Sequence, residues 1–181
     1  MSDATIVVIG MRGVGKTSMG RFAARVLKRP FEDVDHYLEK TLSTTIPDFI
    51  NTHGWPTFRE QETRMLTELL EKHPIGHVIS CGGGIVETAS SRDSLKKYIA
   101  EGGIVLHLVR SINEIEAYLN RDTTRPMYGE SMRNVWARRE GWYRECCNFE
   151  FVVAGQQLKG IETEDAREWA LVESNFERLL R

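Results

Sequence analysis

The chain has 181 residues, 24 of them basic and 26 acidic, for a formal net charge of −2, and 41% of its side chains are hydrophobic. That suffices for one buried core, and the even charge argues against a nucleic-acid scaffold, a polybasic membrane anchor or an acidic tail. A polyanion that binds this chain must therefore find a local site.

Apolar runs alternate with amphipathic segments, the pattern of strands joined by helical crossovers in a parallel sheet. Residues 5–9 form a β-branched run, and Met19, Phe22, Ala23, Val26 and Leu27 then recur at helical spacing up to Pro30. Residues 31–34 read as a short second strand and 46–51 as a short helix. Pro56 suits the first position of a helix whose apolar face holds Phe58, Met65, Leu66, Leu69 and Leu70. Residues 78–81 and 104–109 are buried-type strands. Ser111 and Glu114 form a capping-box pattern ahead of a helix with Ile112, Ile115 and Leu119. Residues 120–130 are polar and aperiodic and read as a mobile loop. A helix through Trp136 and Tyr143, a strand over 149–153 and a last helix carrying Trp169, Val172, Phe176 and Leu180 complete a five-stranded α/β domain.

The cysteines, Cys81, Cys146 and Cys147, are odd in number, lack CxxC spacing and include an adjacent pair that would be strained as a disulfide. Free thiols in a reducing, cytoplasmic setting are expected. No apolar stretch approaches the roughly 18 residues of a membrane span. The five histidines show no metal-ligand spacing, so no zinc site is expected.

Gly10-Met-Arg-Gly-Val-Gly-Lys-Thr17 fits G-x-x-x-x-G-K-[ST] between the first strand and the first helix. In such a cradle, backbone N–H groups of Gly13, Val14, Gly15 and Ser18 turn toward phosphates, assisted by the helix N-terminus. Lys16 reaches the terminal phosphates and the Thr17 hydroxyl can hold Mg²⁺. The chain lacks the further motifs of GTPases and ABC subunits and is short for a motor, which leaves a small kinase.

Asp33 and Asp35 close the second strand at the carboxyl edge of the sheet, where ligands of open α/β sheets bind. The third strand ends without an acidic residue, so Asp33 is the expected metal-side carboxylate. Asp35 is expected to point to the opposite face of the same strand and to accept the proton of an attacking hydroxyl. Arg59 and Glu62, three apart on a helix, are either a surface ion pair or a device that fixes the arginine fork on a substrate carboxylate. Gly82, Gly83 and Gly84 suit close ligand approach or simply a tight turn. Arg125, in the polar loop, could be carried by a lid onto the transferring phosphoryl group. Of Arg138 and Arg139, one is expected to face the site and the other solvent.

Together, residues 10–17, Asp33 with Asp35, Phe58-Arg59, Gly82 to Gly84, Arg125-Pro126 and Arg139 with Tyr143 resemble the shikimate kinase family. The spelling is closer still to the kinase domain of fungal pentafunctional AROM polypeptides in Gly54-Trp55, in the run from Cys81 to Glu87 and in that from Arg138 to Cys146. The resemblance runs from about residue 5 to 151.

It implies a P-loop, nucleoside-monophosphate-kinase-like fold in three layers, with a five-stranded parallel sheet in the order 2-3-1-4-5 and a lid near 120–130. It also implies phosphorylation of the 3-hydroxyl of shikimate by ATP. In that reading Lys16 and Arg125 stabilise the phosphoryl group, and Thr17 and Asp33 hold Mg²⁺. Asp35 is the base, Arg59 and Arg139 bind the shikimate carboxylate, and Gly82, Gly83 and Gly84 line its ring. Arg121 and residues 154–157 are candidates for the adenine side. Gly141 departs from the proline frequent at that point in the family. The alternatives are a non-catalytic quinate-pathway regulator and a gluconate- or nucleotide-type kinase. The match to one part of a five-activity polypeptide suggests that residues 1–181 are a single kinase domain of a longer chain, with its other domains as partners.

Overall fold

The computed structural model describes residues 3–120, 129–153 and 175–178. Its elements are β1 (Ile6–Ile9), α1 (Lys16–Leu27), β2 (Phe31–Asp33), α2 (Val34–Leu42), α3 (Ile46–Lys72), β3 (Val78–Ser80), α4 (Ala89–Ala100), β4 (Ile104–Val109), α5 (Ile112–Leu119), α6 (Met132–Glu145) and β5 (Phe149–Val152). The five strands are all parallel, in the order β2-β3-β1-β4-β5. Both the strand count and the order agree with expectation.

Strand alternation builds the layers. Val7 and Ile9 of β1, with Ile79 and Val105, face a core completed by Leu38, Met65, Leu66, Leu69 and Tyr143. Ile6 and Val8, with Val78 and Leu106, face the other way onto Met19, Phe22 and Ala23 of α1. Phe176 closes that side, its ring 4.8 Å from Phe151 and 6.3 Å from Phe22. Being covered on both faces, the central strands read as continuous apolar runs, as parallel sheets require. Among the described residues no helix is long and apolar enough to cross a membrane.

Three local expectations are corrected. The second strand stops at Asp33, whose side chain caps a helix missed in the sequence, accepting from the backbone N–H of Asp35 at 3.1 Å and of His36 at 3.4 Å. Asp35 therefore sits in the first turn of α2. In a strand, residues two apart would share a face, and the two carboxylates diverge only because the chain turns helical between them.

The two helices read at 46–51 and from Pro56 are limbs of one kinked helix. Gly54 breaks it at φ 79°, ψ 166°, and Pro56 opens the second limb as expected. The capping box at Ser111 does not form: Ser111 begins α5 without a side-chain cap, and Glu114 turns to Arg110 at 3.7 Å. The 120–130 loop lies mostly outside the described residues, as does the last helix apart from residues 175–178.

Gly10, where β1 gives way to the glycine turn, adopts φ +145°, and a Cβ there would stand 2.6 Å from the backbone carbonyl oxygen of Leu108. A backbone neighbour cannot swing aside. Gly10→Ala is expected to lower stability by about 1–3 kcal/mol, seen as a fall in the urea midpoint at unchanged m-value.

Candidate active site

The glycine turn is built as an anion cradle. Gly13 and Gly15 take φ of +81° and +98°, and α1 starts on Gly15 with neither a side-chain cap nor an acidic residue in its first turn. Its first N–H groups, which include those of Lys16, Thr17 and Ser18, therefore keep their capacity for a ligand. Lys16 folds back over the turn, donating to the carbonyl of Met11 at 2.9 Å. Burial lowers its pKa to about 8, against the pull of Asp35 and Asp33.

The Thr17 hydroxyl donates to Asp33 Oδ2 at 3.1 Å, while Oδ1 of the same carboxylate caps α2. A hydroxyl and a carboxylate oxygen thus converge beside the cradle. Hard oxygen donors in that number fit Mg²⁺, which keeps several waters and takes its remaining ligands from substrate phosphates.

Asp35 and Glu62 approach the sheet edge from different helices and meet at one glycine. A Cβ on Gly82 would lie 2.8 Å from Asp35 Oδ1 and would collide with Glu62 Oε1. Asp35 Oδ1 is enclosed without a hydrogen-bond partner. Burial, then the charges of Glu62 and Asp33, raise the Asp35 pKa to about 7, and Lys16 and Arg59 only partly offset this. Glu62 is 1% exposed. Burial raises its pKa too, and Arg59, which hydrogen-bonds it, acts in the other direction. Of the two readings of Arg59 and Glu62, the surface pair is excluded.

The Arg59 guanidinium lies 4.9 Å from the Trp55 ring centroid and 5.2 Å from that of Phe58. It also presses on Gly84, whose absent side chain makes room for it. Arg139 of α6, 1% exposed, donates from Nε to Glu87 at 2.6 Å and from Nη1 to the carbonyl of Gly83 at 3.0 Å. Tyr143 bonds the same carbonyl and stacks at 4.9 Å on His107 of β4. Gly82 and Gly84 therefore admit protein side chains as closely as any ligand, and a Cβ on Gly83 would stand 2.9 Å from the backbone nitrogen of Arg12.

Arg59 and Arg139 line one cleft of about 560 Å³, together with Trp55, Glu87 and Arg138. Both adjacent arginines border this cleft, rather than one facing the site and the other solvent; Arg139 is enclosed and Arg138 is the outer one, its side chain 39% exposed. Arg121 and Arg125 lie outside the described residues. Glu87, Trp55 and the Met11 carbonyl were not picked out as functional from the sequence. Glu87 follows the glycine turn by three positions, a signal of sorts, but its partners are more than fifty residues away. The thiols of Cys81, Cys146 and Cys147 are free, and burial raises the Cys81 pKa well above the usual thiol value, so it is no nucleophile.

Residues 12–171 match the family model described as shikimate kinase. The chain is 42% identical over 99% of its length to the pentafunctional AROM polypeptide of Schizosaccharomyces japonicus, and 48% identical over 83% to that of Lachancea thermotolerans. It spans only 11% and 10% of those polypeptides. Among solved structures, a shikimate kinase from Acinetobacter baumannii in complex with shikimate superposes with a TM-score of 0.76 at 29% identity, covering 98% of this chain and 93% of that one. One from Bacteroides thetaiotaomicron, 24% identical, shares the fold with a TM-score of 0.81 over 98% of each chain.

A carboxyl group whose pKa is raised on folding binds more protons in the native than in the unfolded state between about pH 4 and pH 7. Asp35 therefore costs stability increasingly as pH rises through that window. Asp35→Asn is expected to be more stable than the parent at pH 8, with the gap narrowing as pH falls and closing near pH 4, in paired denaturant melts across pH.

Proposed function

The chain belongs to the shikimate kinase family, and from that premise we propose that it transfers the γ-phosphoryl group of ATP to the 3-hydroxyl of shikimate, in aromatic biosynthesis, with Asp35 as the base. One observation carries the assignment of the base. The Asp35 carboxyl, with an unpartnered oxygen and a pKa near 7, feels the charges both of Lys16 of the phosphate cradle and of Arg59 in the cleft.

Arg59 and Arg139 grip the substrate carboxylate, each already oriented by its own protein carboxylate. The acceptor hydroxyl is thereby directed toward Asp35. As the hydroxyl oxygen bonds to phosphorus, its proton passes to Asp35, and the bond between phosphorus and the β,γ-bridging oxygen of ATP breaks to release ADP. Lys16 leaves the Met11 carbonyl for the phosphates, where its charge balances the equatorial oxygens. Arg125 and Arg121, both outside the described residues, are the further cations we assign to the phosphoryl group and to the nucleotide. Thr17 and Asp33 would hold Mg²⁺, which when bound neutralises phosphate charge. Gly82, Gly83 and Gly84 border the ring of the acceptor.

The AROM relatives favour a chain that works as one module beside other catalytic domains of a longer polypeptide. Its free thiols suit the cytoplasm.

A coupled ADP-release assay over shikimate, quinate, gluconate and nucleoside monophosphates tests the reading. ADP release is expected with shikimate alone, and none with shikimate at saturating ATP overturns it. Nucleotide binding without turnover would identify a regulator. Asp35→Asn is expected to lower kcat by about 10²–10⁴-fold while ATP still binds. In the parent, kcat/KM for shikimate should rise with pH to a plateau above about 7, the ionised form of Asp35 being the active one.

A further inference from the structure

Arg138 has no role in the scheme above, yet its contacts are not those of a stray surface arginine. Nη2 donates to Glu87 at 3.0 Å, and Nη1 donates to both carboxylate oxygens of Glu130 at 2.7 and 2.6 Å. Glu87 Oε1 in turn accepts from Nε of Arg139 at 2.6 Å. One carboxylate oxygen thus receives two guanidiniums from adjacent residues of α6. Isolated surface ion pairs contribute little. This set is different because it joins an arginine that is 1% exposed, through Glu87, to a second arginine whose Nη1 is shared between both carboxylate oxygens of Glu130.

The charge arrangement also has a purpose. Glu87 alone beside Arg139 would largely neutralise the guanidinium that receives the substrate carboxylate. A second cation on the same oxygen draws off part of that charge, and Glu130 holds the second cation in place. The hydrogen bonds to Glu87 hold its pKa below the ordinary range despite its partial burial, so it is ionised wherever the enzyme works.

Resting on the carboxylate-binding role given to Arg139, we propose that Arg138 is a positioning residue. Bridging Glu87 and Glu130, it fixes Glu87, and through it the Arg139 fork, for the acceptor carboxylate.

The test measures KM for shikimate, KM for ATP and kcat in Arg138→Ala, Arg138→Lys, Glu87→Gln and the double variant Arg138→Ala with Glu87→Gln. Arg138→Ala is expected to raise KM for shikimate about tenfold, with KM for ATP and kcat within about twofold of the parent. Arg138→Lys should recover only part of this, because a point ammonium cannot serve two carboxylates in one plane. With Glu87→Gln in place, Arg138→Ala should add less than about twofold, the mark of residues acting through one another.

An unchanged KM for shikimate in both Arg138 variants overturns the proposal, as does an equal rise for both substrates or independent multiplication in the double variant. Should Arg138→Ala fail to fold, the Arg138→Lys and Glu87→Gln values decide by the same criteria. Absence of shikimate turnover in the parent protein would instead count against the functional reading, a separate outcome.

Discussion

The backbone of Gly82 is the point on which the site depends. Asp35 arrives from the first turn of α2 and Glu62 from α3, and both carboxylates close on a residue with no side chain to exclude them. Two like charges brought this close in a dry setting cannot both be ionised cheaply. Arg59 settles Glu62 by direct hydrogen bonding, and Asp35 Oδ1 is left with no such partner. The α2 N-terminus and Lys16 favour the Asp35 anion, and burial outweighs them. The same burial lowers Lys16. Two groups with ordinary values of 10.5 and 3.8 are thereby drawn to about 8 and about 7. A carboxyl group and an ammonium group drawn this close to neutrality suit the proton transfer proposed for the acceptor hydroxyl.

Under the proposed function, preorganisation explains why each of the two arginines assigned to the acceptor carboxylate is bound to a carboxylate of its own. Glu62 with Arg59 and Glu87 with Arg139 are ion pairs whose arginines are largely buried, and such pairs add little net stability once desolvation is counted. What they supply is a fork already fixed in direction, so that an arriving carboxylate need not order a long flexible side chain. Trp55 and Phe58 complete this for Arg59 by stacking on its guanidinium. Tyr143 does so for the turn, bonding the Gly83 carbonyl that Arg139 also uses, with its ring set on the buried His107.

How much of this was legible in the sequence follows from the range of each interaction. The strands, the glycine cradle and the helix limb that opens at Pro56 depend on neighbours within a few positions, and they were found, whereas the continuity of that limb with the helix at 46–51 across Gly54 was not. The five-strand order rested on a resemblance to a family, since nothing local fixes which strands pair. The second helix was missed because its signal competed with a strand reading over the same residues. Val34 belongs by type to either, and only the Asp33 cap decides. The Ser111 capping box failed the opposite way, because Arg110 offers Glu114 a charged partner that the pattern ignores. Asp35 drew its expected role from the paired aspartates beside the cradle and Arg139 from the family resemblance, but the crowding at Gly82 and the pairing of Glu87 across more than fifty residues are products of topology, invisible to spacing.

Asp33 shows how closely fold and chemistry are joined here. One oxygen caps α2, and the other receives the Thr17 hydroxyl beside the cradle. The cap ends β2 one residue early and starts the helix that swings Asp35 away from its neighbour and against Gly82. Under the proposed function, a carboxylate at this position would serve the metal side and aim the base at the same time. Its loss would be felt twice, once in the donors beside the phosphates and once in the direction of a side chain two residues on. The adjacency of the two aspartates follows from this shared duty, and the net charge of −2 over the whole chain gives no hint of it.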